Sequence, residues 1–152
     1  MNRRLIINLV LPVTIIIFIL FTKWWIVDVV DGTDGIMYGF PFIYKAPAFY
    51  TSMALEYFIT ELILDFSIYF IIIFGIIYAI NNFVYDLKFN KIFKYTLWIF
   101  AFILLSMEIW IAQFPENKFT LKRDYELKIK KTGFKFFFNS YKEGIEFDKY
   151  HK

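Results

Sequence analysis

The chain contains no cysteine. That absence removes disulfides, thiol catalysis, thiolate metal sites and anchoring through a lipidated cysteine together. Histidine is almost as scarce: His151 is the only one. The serines Ser52, Ser67, Ser106 and Ser140 have no base spaced beside them, and no phosphate-binding glycine loop or zinc spacing occurs. The expectation is therefore a protein that is not an enzyme, with no catalytic, cofactor-binding or metal residues and no cofactor. Charge imbalance is small too. A formal net charge of +3 gives no footprint for nucleic acid, so no such partner is expected.

What the chain has in excess is apolar surface. Hydrophobic residues make up 59% of its 152 positions and aromatic residues 24%, more than a soluble domain of this length usually carries. The excess is concentrated in three stretches, which predicts an integral membrane protein with an all-α core. The expected spans are 5–25, 57–80 and 95–114. Each is long enough, at about 1.5 Å per residue, to cross a hydrocarbon core of about 30 Å, the first only with help from its flanks. The first follows Arg3 and Arg4, lacks a small-residue cleavage site and ends at Trp24 and Trp25, the pattern of an uncleaved signal anchor.

Residues 26–56 read as an irregular loop on the face opposite the amino terminus, because Gly32, Gly35, Pro41 and Pro47 forbid a long helix. Within it, Ile26 to Val30 fits a short strand and Asp31 to Gly35 a turn. Thr51 or Ser52 is placed to cap the second helix. Residues 115–152 read as a polar tail. Alternation of Tyr125, Leu127 and Ile129, then Phe134, Phe136 and Phe138, about the break Lys131-Thr132-Gly133 predicts a β-hairpin over 124–139.

Arg3 and Arg4 place the amino terminus in the cytoplasm of a plasma or inner membrane. Lys88, Lys91 and Lys94 then join them, and the tail lies outside. The tail argues against this order, since Lys118, Lys122, Arg123, Lys128, Lys130 and Lys131 follow the last span closely.

Three acids inside the spans call for a physical account: Glu61, Asp65 and Glu108. Asp65 lies about 12 Å, and Glu108 about 9 Å, from the same membrane face. Tyr57, Glu61, Asp65 and Tyr69 repeat every four residues and form one helix stripe. A central acid costs about 2.5 to 3.5 kcal/mol, which the surrounding apolar residues offset. Three readings compete: the second span begins later, near Leu64, and the acids are interfacial; they pair with a base on another subunit; or they bind or relay a proton or cation. Lys23 is the base in the chain nearest this depth, so it is the expected partner of one of them.

Two loop motifs complete the inventory. Asp28, Asp31 and Asp34 with intervening glycines resemble a calcium loop only loosely, and an ordinary solvated turn is the better reading. Tyr38-Gly39-Phe40-Pro41-Phe42 is the most distinctive string, either an interaction loop or a set of rings at headgroup level. The functional expectation is a small multi-pass accessory or structural subunit, or an interaction module, whose partners are the bilayer and another protein or a second copy within it. A proton- or cation-handling element using the acids is the alternative.

Overall fold

In the computed structural model, the described residues are 5–29, 35–48, 54–84 and 89–136. They contain three helices and six strands and divide into two compact units. An all-α core is therefore not what forms, and three of the sequence expectations need correction.

The first correction concerns the first span. The chain enters through a π-helical stretch, Ile6–Val10, and continues as α1, Leu11–Leu20. Pro12 has no N–H to donate, and just before it the Leu11 N–H reaches back five residues to the Ile6 carbonyl. Helix then stops. Phe21–Val29, including Trp24 and Trp25, is strand β1. Its run Phe-Thr-Lys-Trp-Trp-Ile-Val is rich in aromatic and β-branched residues, which pack well on a pleated surface and fit poorly in a helix. The helical part, Ile6–Leu20, is about 22 Å long.

The second concerns the loop. Gly35–Tyr38 forms β2, Lys45–Pro47 forms β3 and Leu55–Phe58 forms β4. Pro47 is tolerated at the last position of a three-residue strand. Residues 30–34 and 49–53, which include Asp31, Asp34, Thr51 and Ser52, lie outside the described residues. The chain passes from β4 directly into α2, Ile59–Ala79, which ends in a second π-helical stretch, Ile80–Val84. Helix α3 spans Lys91–Ala112, so Lys91 and Lys94 belong to the helix rather than to a connection. Asn90 Oδ1 accepts from the Phe93 N–H at its start, 2.8 Å.

The third concerns the tail. Lys118–Thr120 forms β5, and Leu127–Phe136 is one continuous strand, β6, not a hairpin. It pairs antiparallel with β1, placing Trp24 opposite Gly133. The Trp24 indole lies across Gly133, where a Cβ would collide with the ring. The glycine that looks like a turn in sequence is a strand position occupied by a neighbour's ring.

The six strands form one mixed sheet in the order β5-β4-β3-β2-β1-β6, antiparallel except for the parallel pair β4 and β5. All lie in the unit comprising 20–65 and 112–152. Val27, Val29, Met37, Ile43, Ala46 and Phe58 are its buried core, with Trp25, Tyr125 and Leu127 against them. Lys45, Tyr57 and Phe119 line up across β3, β4 and β5; the Lys45 ammonium is 5.4 Å from the Tyr57 ring, which stacks on Phe119. Asn117 secures the return from α3: its Oδ1 accepts from the Leu55 N–H at 2.8 Å, and its Nδ2 donates to the Ala112 carbonyl at the helix end, 3.2 Å.

The other unit, 1–19 and 66–111, is helical. Leu9 and Val10 pack on Ile73 and Ile77, with Phe70, Phe74, Phe89 and Leu97 around them. The Phe18 ring meets Phe66 and Tyr69 edge-on, at 5.5 and 5.4 Å. Most of its remaining surface is apolar and open: Ile71, Ile76, Phe83, Ile92, Ile99, Phe102 and Trp110 are all exposed.

Candidate functional site: an aromatic turn between a lysine and an aspartate

The most elaborate local structure of the sheet unit is built on Tyr38-Gly39-Phe40-Pro41-Phe42, the string singled out in the sequence. β2 ends at Tyr38, and Gly39 takes φ +146°, where L side chains rarely go; a Cβ there would also run into the Phe42 carbonyl. The Phe40–Pro41 peptide is cis. Three bonds close the turn: Gly39 N–H donates to the Lys23 carbonyl and Tyr44 N–H to the Tyr38 carbonyl, each 3.0 Å, while Trp25 Nε1–H donates to the Gly39 carbonyl, 2.8 Å.

The two amides left pointing inward find Asp65. Phe40 N–H donates to Oδ2 at 2.7 Å and Phe42 N–H to Oδ1 at 2.9 Å. Asp65 is fully buried, so each oxygen replaces lost hydration with a charge-assisted bond, the stronger class of hydrogen bond. An acid that the sequence reads as interfacial, as paired with another subunit, or as binding or relaying an ion is here the anchor of a loop 23 residues away in sequence.

On the same turn, the Lys23 ammonium lies over the Trp25 ring, 3.8 Å from its centroid, and 5.8 Å from the centroids of Phe40 and of Phe134 on β6. Phe134 meets Phe40 edge-on at 5.4 Å and stacks on Phe21 at 5.3 Å. The ammonium is thus held by π faces, each such contact contributing about 0.5 to 2 kcal/mol according to its desolvation. Among the described residues no ion pair joins Lys23 to a carboxylate.

The residues named from sequence therefore fall into two groups. Lys23, Tyr38, Gly39, Phe40, Pro41, Phe42 and Asp65 converge on one turn. Glu61 lies one helical turn before Asp65 in the same unit, and one of its carboxyl oxygens is buried without a hydrogen-bond partner among the described residues. Glu108 belongs to the helical unit. Asp28 pairs with Lys130 at 3.7 Å, and no cluster of three or more histidine, cysteine or acidic side chains able to hold a metal occurs among the described residues. Sequence reasoning missed Trp25 and Phe134 as partners of Lys23. Their signal was present in the two-residue spacing of Lys23 and Trp25 on one strand face, but only if 21–29 is read as strand.

Chemically, this arrangement orders an aromatic surface around one cation. Both Asp65 oxygens accept from the backbone of the turn that carries this surface. No family model, no curated protein and no solved structure matches the chain.

Proposed function

We propose that this protein is a membrane-anchored accessory or interaction module, in which α2 and α3 cross the bilayer as a hairpin and the sheet unit stands outside it. The observation that carries the reading is the parallel pairing of β4 with β5: Glu56, Tyr57 and Phe58 lie beside Lys118, Phe119 and Thr120. The chain leaves this sheet at Phe58 and returns to it at Lys118. Between those points lie two helices, Ile59–Val84 with its π-helical end and Lys91–Ala112, each long and apolar enough to cross a membrane. A return to the same sheet is what two successive crossings require.

Composition supports the lipid environment. Exposed large apolar residues run the length of both helices, where a soluble protein would carry a polar face. Tyr95 and Trp110, both exposed, stand about 22 Å apart along α3, the placing expected of rings near two interfaces. The polar unit, by contrast, has a sheet whose edges require water or a partner rather than hydrocarbon. An accessory or interaction role fits a sheet unit whose most elaborate described turn gathers aromatic rings about one cation.

The test is fractionation of the full chain. It is expected to resist alkaline carbonate extraction from membranes and to leave gentle detergent as an assembly of fixed stoichiometry, with a second copy or another protein. Release by carbonate as a single soluble chain overturns the membrane reading; a detergent-solubilised monomer overturns the assembly reading.

A further inference from the structure

We infer that the outer edge of β6 is a docking site for an extended segment of a partner protein in which acidic and apolar residues alternate. This gives a chemistry to the partner of the interaction module proposed above and rests on that reading.

β6 ends the sheet, and among the described residues β1 is the one strand paired with it. A terminal strand of 10 residues presents a row of backbone donors and acceptors along its outer side. The register with β1 shifts once: Ile26 faces Lys131 while Val27 faces Ile129, which makes Lys130 the extra residue of a bulge. Beyond the bulge, residues 131–136 run unbroken against 21–26, an uninterrupted stretch to which another strand can add.

The bulge also sorts the side chains. Lys128 and Lys131 lie opposite Asp28 and Ile26, alternate residues of β1, and so share one face of the sheet. Ile129, Thr132 and Phe134 lie opposite Val27, Trp25 and Lys23 and share the other. Lys128 is exposed, Ile129 is 53% exposed and Phe134 56%. The edge is thus basic on one face and apolar and open on the other.

That combination selects the occupant. An added strand sets its side chains directly beside those of β6 on both faces, with Cβ atoms about 4.5 to 5.5 Å apart. Acids at alternate positions meet the face of Lys128 and Lys131, and the apolar residues between them cover Ile129 and Phe134. A purely polar acidic segment would match the charge but leave Ile129 and Phe134 in water. A second copy of β6 fits badly, because this strand carries Lys128, Lys130, Lys131 and Lys135 and no acid. Lysines on an edge are a device against such self-pairing.

The probe is a short fluorescein-labelled peptide alternating glutamate with valine, titrated into the full chain in an uncharged detergent. Anisotropy is expected to report binding, and hydrogen exchange to slow at the amides of residues 131–136 but not at β5, the other edge. Since like charges directly opposite disfavour pairing, a counterpart alternating lysine with valine should bind about tenfold more weakly. Lys128→Glu combined with Lys131→Glu should reverse this preference, and the two arginine replacements should keep it. Methylating the backbone nitrogens of the peptide should abolish binding, because the ladder loses its donors.

Equal binding of the two peptides, or a preference unmoved by the paired glutamates, overturns the acidic partner. Binding that leaves exchange at β6 unchanged overturns the edge as its site. Protection of residues 131–136 that rises with protein concentration before any peptide is added assigns the edge to a second copy and overturns the acidic partner too. Binding seen only after Glu143, Glu146 and Asp148 are changed to glutamine assigns the edge to the chain's own carboxyl-terminal residues and overturns a separate partner. No binding by a chain that still leaves detergent as an assembly overturns the edge alone, whereas no binding by a monomer overturns the assembly reading with it. Slow exchange retained at β1 in each variant separates these outcomes from loss of the sheet.

Discussion

Asp65 illustrates how a single buried carboxylate can anchor a turn. Its two oxygens take the amides of Phe40 and Phe42, so the effect of replacing it depends on what is left facing those donors. In Asp65→Asn one oxygen becomes an NH2 group that meets an N–H, and a donor faces a donor. In Asp65→Ala both amides lose their acceptor in a buried site. A buried unsatisfied group costs about 1 to 3 kcal/mol, so Asn should destabilise the sheet unit by about 1 to 3 kcal/mol and Ala by more. Denaturation in detergent, followed through near-ultraviolet circular dichroism of the tryptophans, checks the order. An Asp65→Ala variant as stable as the parent would mean that the turn does not depend on this acid.

Among the elements, β6 carries the clearest lesson about what the sequence discloses. Its alternation was legible, and so, as far as Val29, was the strand expected over Ile26 to Val30, whose last residue lies outside the described residues. What misled was Gly133, which beside Lys131 and Thr132 has the composition of a turn. Only the tertiary partner, Trp24, explains it, and no local pattern announces a ring contributed from 109 positions earlier in the chain. β1 was misread for a related reason: an apolar run of a few residues has no period to separate a buried strand from a helix end, and the break at Leu20 leaves no glycine or proline behind. The long helices were legible because their apolar runs exceed any strand. The aromatic turn was recognised as a unit of sequence, but its dependence on Asp65 was not, since the two are joined only through backbone amides. Gly133 therefore supplies an element-scale prediction. Gly133→Ala should force the Trp24 indole off β6 and cost about 1 to 3 kcal/mol, the usual range for overpacking. The same change in a Trp24→Ala background should cost little, because the clash is gone. Equal costs in both backgrounds would show that the glycine is needed for its backbone alone.

For the whole molecule, the consequential fact is that 20–65 and 112–152 share one sheet. On the proposed reading this fixes the parity of crossings: whichever side holds β4 also holds β5, and the residues joining α2 to α3 lie across the bilayer. Which side is which rests on charge. Lys88, Lys91 and Lys94 favour a cytoplasmic connection, whereas the sheet unit carries more lysine. Several of those lysines are engaged within the fold: Lys118 lies 3.9 Å from Glu56, Lys130 lies 3.7 Å from Asp28, and Lys23 and Lys45 sit over rings. Folded domains also cross largely regardless of charge. On the proposed reading the sheet unit is expected on the outer side. Single cysteines at the exposed positions Lys91 and Lys122 make this measurable with a membrane-impermeant maleimide. Lys122→Cys should react on intact cells, and Lys91→Cys only after permeabilisation. The opposite order would keep the hairpin and invert the protein in its membrane. Reaction of both from the same side would mean that α2 and α3 do not cross the bilayer as a pair, and the exposed apolar faces of these helices would then have to be covered by protein.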